Sequence, residues 1–145
     1  MPRHRAMNRR YVLDANALTG FFENRAGLAD RVARLIAQAF QNNAPLLISA
    51  VNWGEVFYIA YRRHGELIAH EVEARLSQLP VAVVAVDRGR ATRAGTLKEK
   101  HGLGYADAFA AELAIEQRAS LVTADPEFAR LGKVLTVVPL PRQEK

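Results

Sequence analysis

Short runs of consecutive apolar residues alternate along the chain with segments of helical periodicity. Unbroken apolar runs are typical of strands that are buried on both faces of a sheet. Five such runs predict five strands: RYVLD (10–14), PLLIS (45–49), VAVVAVD (81–87), SLVTAD (120–125) and KVLTVVPL (133–140). The order of these elements predicts an α/β fold with a mostly parallel sheet.

The segments between the runs have apolar residues at helical spacing, as in LADRVARLIAQAF (28–40). Two consecutive helices, interrupted at Gly65, are expected over 51–79. Further predicted helices are GRATRAGTLKEKHG (89–102), YADAFAAELAIEQR (105–118) and the short PEFARLG (126–132). Strands alternating with helices of this length predict right-handed βαβ units, with helices on both faces of the sheet.

The length of 145 residues predicts a single domain over 1–145, with a loosely ordered extension at 1–10. The absence of cysteine excludes disulfides and thiolate metal sites. The longest apolar run, VAVVAV (81–86), is far too short to span a membrane, and Asp14 and Asn16 interrupt the stretch after the basic N-terminus. We therefore expect a cytoplasmic protein. The net charge of +5 slightly favours a polyanionic partner such as nucleic acid.

Polar side chains follow the first four predicted strands. They are Asp14, Ser49, Asp87 and Asp125. In open parallel sheets, ligands bind beyond the carboxyl ends of the strands, so these positions are candidates for a site. Two more acids, Glu55 and Asp107, lie near the starts of predicted helices.

Each of these acids also has a simpler interpretation as a helix cap or a partner of the helix dipole. Two observations argue against that interpretation for Glu55 and Asp107. Glu55 stands among Trp53, Val56 and Phe57, on a helix expected to be largely buried, and Asp107 is surrounded by alanines. Neither acid has Lys or Arg three or four residues away, so another group must neutralise it.

A divalent cation is the natural candidate for that group. Clustered carboxylates without cysteine suit a hard ion such as Mg²⁺, or Mn²⁺ as a substitute. The four histidines are scattered and charge-flanked, so we interpret them as surface residues.

Four local motifs, in this order, resemble those of a PIN-domain ribonuclease, most closely a VapC-type toxin of a toxin–antitoxin system. They are YVLDANAL, LLISAVNWGEVFY, YADAFAAELA and LVTADPEF. The resemblance covers about residues 11–139. No single motif is specific, but their order and spacing in a chain of this length are.

The resemblance implies a three-layer α/β/α sandwich and Mg²⁺-dependent cleavage of RNA. The implied catalytic, metal-holding residues are Asp14, Glu55, Asp107 and Asp125. Asn16 and Thr123 would orient the ligands or metal-bound water.

The resemblance also implies a cognate antitoxin as partner and a homodimer. Asp87 matches no acid of the family, whose third strand lies at the edge of the sheet. We therefore interpret Asp87 as a helix cap.

Other functions are compatible with parts of the sequence. A phosphatase of the haloacid dehalogenase type needs a second Asp where this chain has Asn16. A receiver domain would use Asp87, but its acidic pair and its lysine are not clear. A structure-specific DNA nuclease carries insertions that 145 residues barely permit. The non-enzyme alternative is a catalytically silent PIN-like module that binds RNA or a partner.

Overall fold

The computed structural model describes residues 9–142 as one five-stranded sheet with helices around it. The strands are β1 (Tyr11–Leu13), β2 (Leu46–Ser49), β3 (Val81–Val84), β4 (Ser120–Thr123) and β5 (Val137–Pro139). The helices are α1 (Ala15–Phe22), α2 (Leu28–Asn42), α3 (Ala50–His64), α4 (Glu66–Leu76), α5 (Arg88–His101) and α6 (Tyr105–Glu116). A 3-10 helix spans Pro126–Leu131.

All pairings in the sheet are parallel, and the strand order is β3-β2-β1-β4-β5. The chain builds outward from the central strand β1 through β2 to β3, and then returns to add β4 and β5 on the other side. The order therefore reverses between β1 and β4. Leu13 pairs with Val122, which brings the carboxyl ends of these two strands side by side. Such a reversal point is where open α/β sheets bind ligands.

Helices cover both faces of the sheet, as the sequence predicts. Successive residues of a strand point to opposite faces, so an apolar run serves two cores at once. Leu13 and Val122 belong to the core beneath α1, α2, α3 and α4. Val12 and Leu121 belong to the other core, which the alanine-rich α6 dominates. The predicted three-layer α/β/α architecture is confirmed.

The structure corrects three details of the predicted elements. β3 ends at Val84 and is an edge strand, so it is not buried on both faces, and Val83 is 42% exposed. α3 buries only a stripe that includes Val56 and Ala60, because its other side faces solvent. β5 spans only Val137–Pro139 of the predicted run KVLTVVPL, whereas the short helix predicted at PEFARLG is present as a 3-10 helix.

The break predicted at Gly65 is present, since Gly65 has φ of 93° between α3 and α4. Most of the predicted loose extension, residues 1–8, lies outside the described residues. Arg10 lies inside them and is held, because its carbonyl accepts the Ser120 N–H at 3.0 Å and its guanidinium donates to Gln117 at 2.7 Å. No helix within residues 9–142 has the length and apolar character needed to span a bilayer.

The helix caps expected at the strand ends are present. The side chains of Asp14, Ser49, Asp87 and Asp125 each accept a backbone N–H in the first turn that follows. Asp87 is exposed and lies after the edge strand β3, as its interpretation as a cap requires. Capping therefore explains Asp87, but it leaves open why Asp14 is buried.

Glu112 is a second buried carboxylate, and arginines neutralise it. It lies on α6 with 3% of its side chain exposed. Arg93 Nε donates to it at 2.9 Å and Arg90 Nη1 at 3.2 Å, both from α5. Arg90 also reaches Glu116 at 2.7 Å. These bonds tie α5 to α6 and show how this fold stabilises a buried charge away from the strand ends.

We expect Glu112→Ala to lower the free energy of unfolding by about 2–3 kcal/mol, because two arginines lose a charged hydrogen-bond partner in a partly buried place. The matched control Glu116→Ala should cost less than about 1 kcal/mol, since that pair is more exposed. Urea denaturation of the two variants checks this. Equal losses would mean that the buried position of Glu112 does not matter.

Candidate metal centre

Asp14 lies at the carboxyl end of the central strand and is 3% exposed. Its Oδ1 accepts the N–H of Ala17 at 2.8 Å, which begins α1. Its Oδ2 accepts the hydroxyl of Thr123. The backbone N–H of Asp14 also bonds to the carbonyl of Val122 at 3.3 Å. The carboxylate is therefore fixed in place by both β1 and β4.

Thr123 connects the two strand ends across the reversal point. While its hydroxyl donates to Asp14, its Oγ1 accepts the backbone N–H of Asp125 at 2.9 Å. Thr123 is 1% exposed, and its bond to Asp14 is buried. Thr123, which is predicted to orient a ligand, therefore contacts the side chain of Asp14 and the backbone of Asp125.

Three further carboxylates form a cluster beside these strand ends. Asp107, Asp125 and Glu127 each offer an oxygen within 4.8 Å of the other two. Asp125 and Glu127 belong to the turn that starts the 3-10 helix, where Asp125 accepts the N–H of Glu127 at 2.9 Å. Asp107 comes from the first turn of α6. Three carboxylates from two elements therefore converge.

Glu55 approaches the cluster from α3. Its negative charge is one of those that raise the pKa of Asp107. Its Oε1 accepts a hydrogen bond from Asn52 at 3.2 Å. Glu55 is half-buried, which corrects the expectation that its helix would be buried nearly all round.

The electrostatics of the site are those of uncompensated negative charge. Burial, together with repulsion from Asp107 and Asp125, raises the pKa of Asp14 to about 7, against the lowering effect of its two hydrogen bonds. Burial and the charges of Asp125, Glu55 and Glu127 raise the pKa of Asp107 to about 6. None of these acids forms an ion pair within residues 9–142, in contrast to Glu112. These electrostatic effects place Asp14 and Glu55 within range of the cluster, whereas the roles of the four predicted acids stay a prediction.

The donor set fits a hard divalent cation. It consists of carboxylate oxygens, which Mg²⁺ and Mn²⁺ prefer. Two ligand oxygens on an octahedral Mg²⁺ lie about 3–4 Å apart, given bond lengths of about 2.1 Å. The spacing within the cluster of Asp107, Asp125 and Glu127 is close to that range. Asp107 and Asp125 are half-buried and Glu127 is exposed, so the cluster is open to solvent on the Glu127 side.

The structure pairs Asn16 with Arg25 and adds Glu127 to the cluster. Asn16 is exposed, and its Oδ1 accepts from Arg25 at 3.0 Å, so its hydrogen bond does not reach the acids. Its predicted role in orienting ligands remains a prediction. Glu127 was missed as a member of the cluster. The signal for Glu127 was its place two residues after Asp125, in the turn that opens the 3-10 helix.

The family model of the PIN domain matches residues 11–134 of the chain. The chain belongs to the PIN-domain family. The matched segment includes all four predicted acids and Glu127. No curated protein matches the chain.

Solved structures with the same fold include toxins and toxin–antitoxin complexes. VapC20 from Mycobacterium tuberculosis, a sarcin–ricin loop cleaving toxin, is 16% identical with a TM-score of 0.70, covering 90% of this chain and 99% of its own. VapBC-1 from nontypeable Haemophilus influenzae is 24% identical with a TM-score of 0.66, covering 89% and 96%. VapBC2 from Rickettsia felis, bound to a promoter DNA fragment, is 19% identical with a TM-score of 0.69, covering 90% and 98%. At these identities the likeness establishes the PIN fold.

The raised pKa values predict that the metal-free protein becomes less stable as the pH rises. Asp14 and Asp107 hold protons more tightly in the folded state than at their ordinary pKa of 3.8. The stability that this gives is complete below about pH 4 and is lost as the pH rises through about 6 and 7. Melting temperatures in chelator should therefore fall between pH 5 and 7.5, and Asp14→Asn should reduce the fall.

Asp87→Asn is the matched control, because Asp87 caps a helix outside the cluster and hydrogen bonding to the backbone N–H of Arg90 lowers its pKa. This variant should keep the wild-type fall in melting temperature. At pH 7.5, millimolar Mn²⁺ or Mg²⁺ should raise the midpoint of the wild type by mass action. An identical pH dependence in wild type and Asp14→Asn would contradict the account of Asp14.

Proposed function

We propose that this PIN-domain protein is a divalent-metal-dependent endoribonuclease and the toxin of a type II toxin–antitoxin pair. The observation that carries the proposal is the convergence of carboxylates from four separate segments at the reversal point of the sheet. They are Asp14, Glu55, Asp107 and Asp125, with Glu127 beside them. A silent binding module has no need for such repulsion, because it would gain stability from neutral residues here.

The residues of the chain divide the work in the proposed site. Asp107, Asp125 and Glu127 would hold the cation together with Asp14 and Glu55. Thr123 keeps Asp14 and Asp125 in a fixed relation through its two hydrogen bonds. A bound Mg²⁺ would supply an acidified water and would stabilise the charge that develops on the phosphodiester. The ion would also lower the pKa values of Asp14 and Asp107, so that both act as carboxylates at neutral pH.

The overall charge of the chain and the VapBC structures support the proposed substrate and partner. The chain carries 20 Lys and Arg against 15 acids, and the acids gathered at one edge leave the rest of the surface more basic. Such a surface suits a phosphate backbone outside the site. The VapBC structures pair toxins of this fold with antitoxins, which supports a cognate antitoxin as partner here. We further propose a homodimer that acts in the cytoplasm on RNA.

The test is an RNA cleavage assay with purified protein. Mixed RNAs should be cut in Mg²⁺, and cleavage should stop in chelator. Asp14→Asn and Asp107→Asn should each lower kcat/KM by more than about 100-fold, because loss of a residue that only supports a metal ligand already costs 10–100-fold. Asp87→Asn should retain wild-type cleavage, since its side chain caps α5 away from the cluster.

Cleavage that survives chelator would contradict the metal-dependent mechanism. Binding of RNA without cleavage, in wild type and in both site variants alike, would favour the silent binding module. Single-stranded DNA of matched sequence should be tested in parallel. Cleavage of the DNA but not of the RNA would show that the substrate is DNA.

A further inference from the structure

Asn52 is a buried amide beside the acidic cluster that the proposed function leaves without a role. It lies in the first turn of α3, three residues before Glu55, and no part of it is exposed. The other buried members of the same stripe are Val56 and Ala60, which are apolar. A primary amide in such a place is unfavourable unless its hydrogen bonds compensate for the loss of water.

Both protons of the Asn52 amide are used. Nδ2 donates to Oε1 of Glu55 at 3.2 Å and to the carbonyl oxygen of Ala106 at 3.0 Å. The second bond crosses from α3 to the first turn of α6, where Ala106 directly precedes Asp107. One amide therefore contacts one of the acids and the backbone next to another.

These two acceptors fix the orientation of the amide. Turning it over would place its Oδ1 against two oxygens that cannot donate. In the orientation present, Oδ1 is buried and has no hydrogen-bond partner within residues 9–142. An apolar residue of similar size would avoid that unfavourable burial. The two hydrogen bonds to Glu55 and Ala106 therefore explain the presence of an asparagine at position 52 better than packing does.

Asn52 bonds to α3 at Glu55 and to α6 at Ala106, and the acids of these two helices, Glu55 and Asp107, repel each other. Glu55 contributes to the raised pKa of Asp107, so their negative charges act on each other. Glu55 is a long, half-buried side chain with several rotamers, and repulsion favours those that carry it away from Asp107. The N–H donated by Asn52 opposes this movement, and the bond to Ala106 keeps the start of α6 against α3.

We propose that Asn52 is a positioning residue, which holds Glu55 and the first turn of α6 at the separation that a shared divalent ion requires. The inference rests on the proposed metal site and adds to it a residue that touches neither metal nor substrate. Asn52 acts before the ion arrives, by reducing the rearrangement that binding needs.

The test compares Mn²⁺ binding to wild type, Asn52→Leu and Asn52→Ala by isothermal titration calorimetry. Asn52→Leu keeps the side-chain volume and removes the hydrogen bonds. Asn52→Ala also removes them and adds no atoms, so it serves as the second variant if Asn52→Leu does not fold. Both variants should bind Mn²⁺ about 10–100-fold more weakly. In RNA cleavage, rising Mn²⁺ should recover much of their lost kcat, with KM for RNA unchanged.

Val56→Ala is the matched control, because Val56 is 2% exposed on the same stripe of α3 and belongs to the hydrophobic core. It should lower the melting temperature and leave Mn²⁺ affinity at the wild-type value. Wild-type affinity in both Asn52 variants would overturn the inference alone. A wild-type protein that binds no Mn²⁺ would overturn the proposed function, and the inference with it.

Discussion

The burial of the Asp14 carboxylate at the end of the central strand is the constraint on which the site depends. A carboxylate that loses its water must be protonated, hydrogen-bonded or paired with a cation. Asp14 receives two hydrogen bonds, yet its pKa remains raised to about 7, because neighbouring carboxylates add to the effect of burial. The fold thus keeps at its centre a carboxyl group whose ionisation is unfavourable, and we propose that a bound divalent cation compensates its negative charge.

The contrast with Glu112 shows that this arrangement is not a general property of the chain. Glu112 is as buried as Asp14, but two arginines from α5 neutralise it. That network lies between α5 and α6 and ties the two helices together. Asp107, near the start of the same helix α6, has no such partner within residues 9–142. One helix therefore carries both a neutralised carboxylate and one left available to an ion.

The sheet and the candidate acids could be predicted from local patterns, whereas the grouping of four acids in one site was implied by the resemblance to PIN-domain ribonucleases. Unbroken apolar runs place Val12 and Leu13 in a buried strand, and the rule that parallel sheets bind ligands at their carboxyl ends selects Asp14 and Asp125. The half-exposed state of Glu55 could not be predicted in this way. Its neighbours are apolar, but α3 lies with one side in solvent, and that depends on how the helices pack.

Contacts between segments distant in the chain also could not be predicted from the sequence. The bond from Asn52 to the Ala106 carbonyl joins residues 54 positions apart, and no pattern around Asn52 marks it. Arg25 donates a hydrogen bond to the side chain of Asn16, and no pattern in the sequence predicts this contact. The sequence shows which hydrogen-bonding groups are present at each position. Which partner each side chain contacts depends on tertiary packing.

The most direct test of the central claim is a crystal structure of the wild-type protein grown with Mn²⁺, with anomalous diffraction data to locate the ion. We expect one or two anomalous peaks within about 2.5 Å of carboxylate oxygens from Asp107 and Asp125, with Asp14 and Glu55 facing the same ion directly or through water. No peak at millimolar Mn²⁺, or a peak only at acids outside this cluster, would contradict the account.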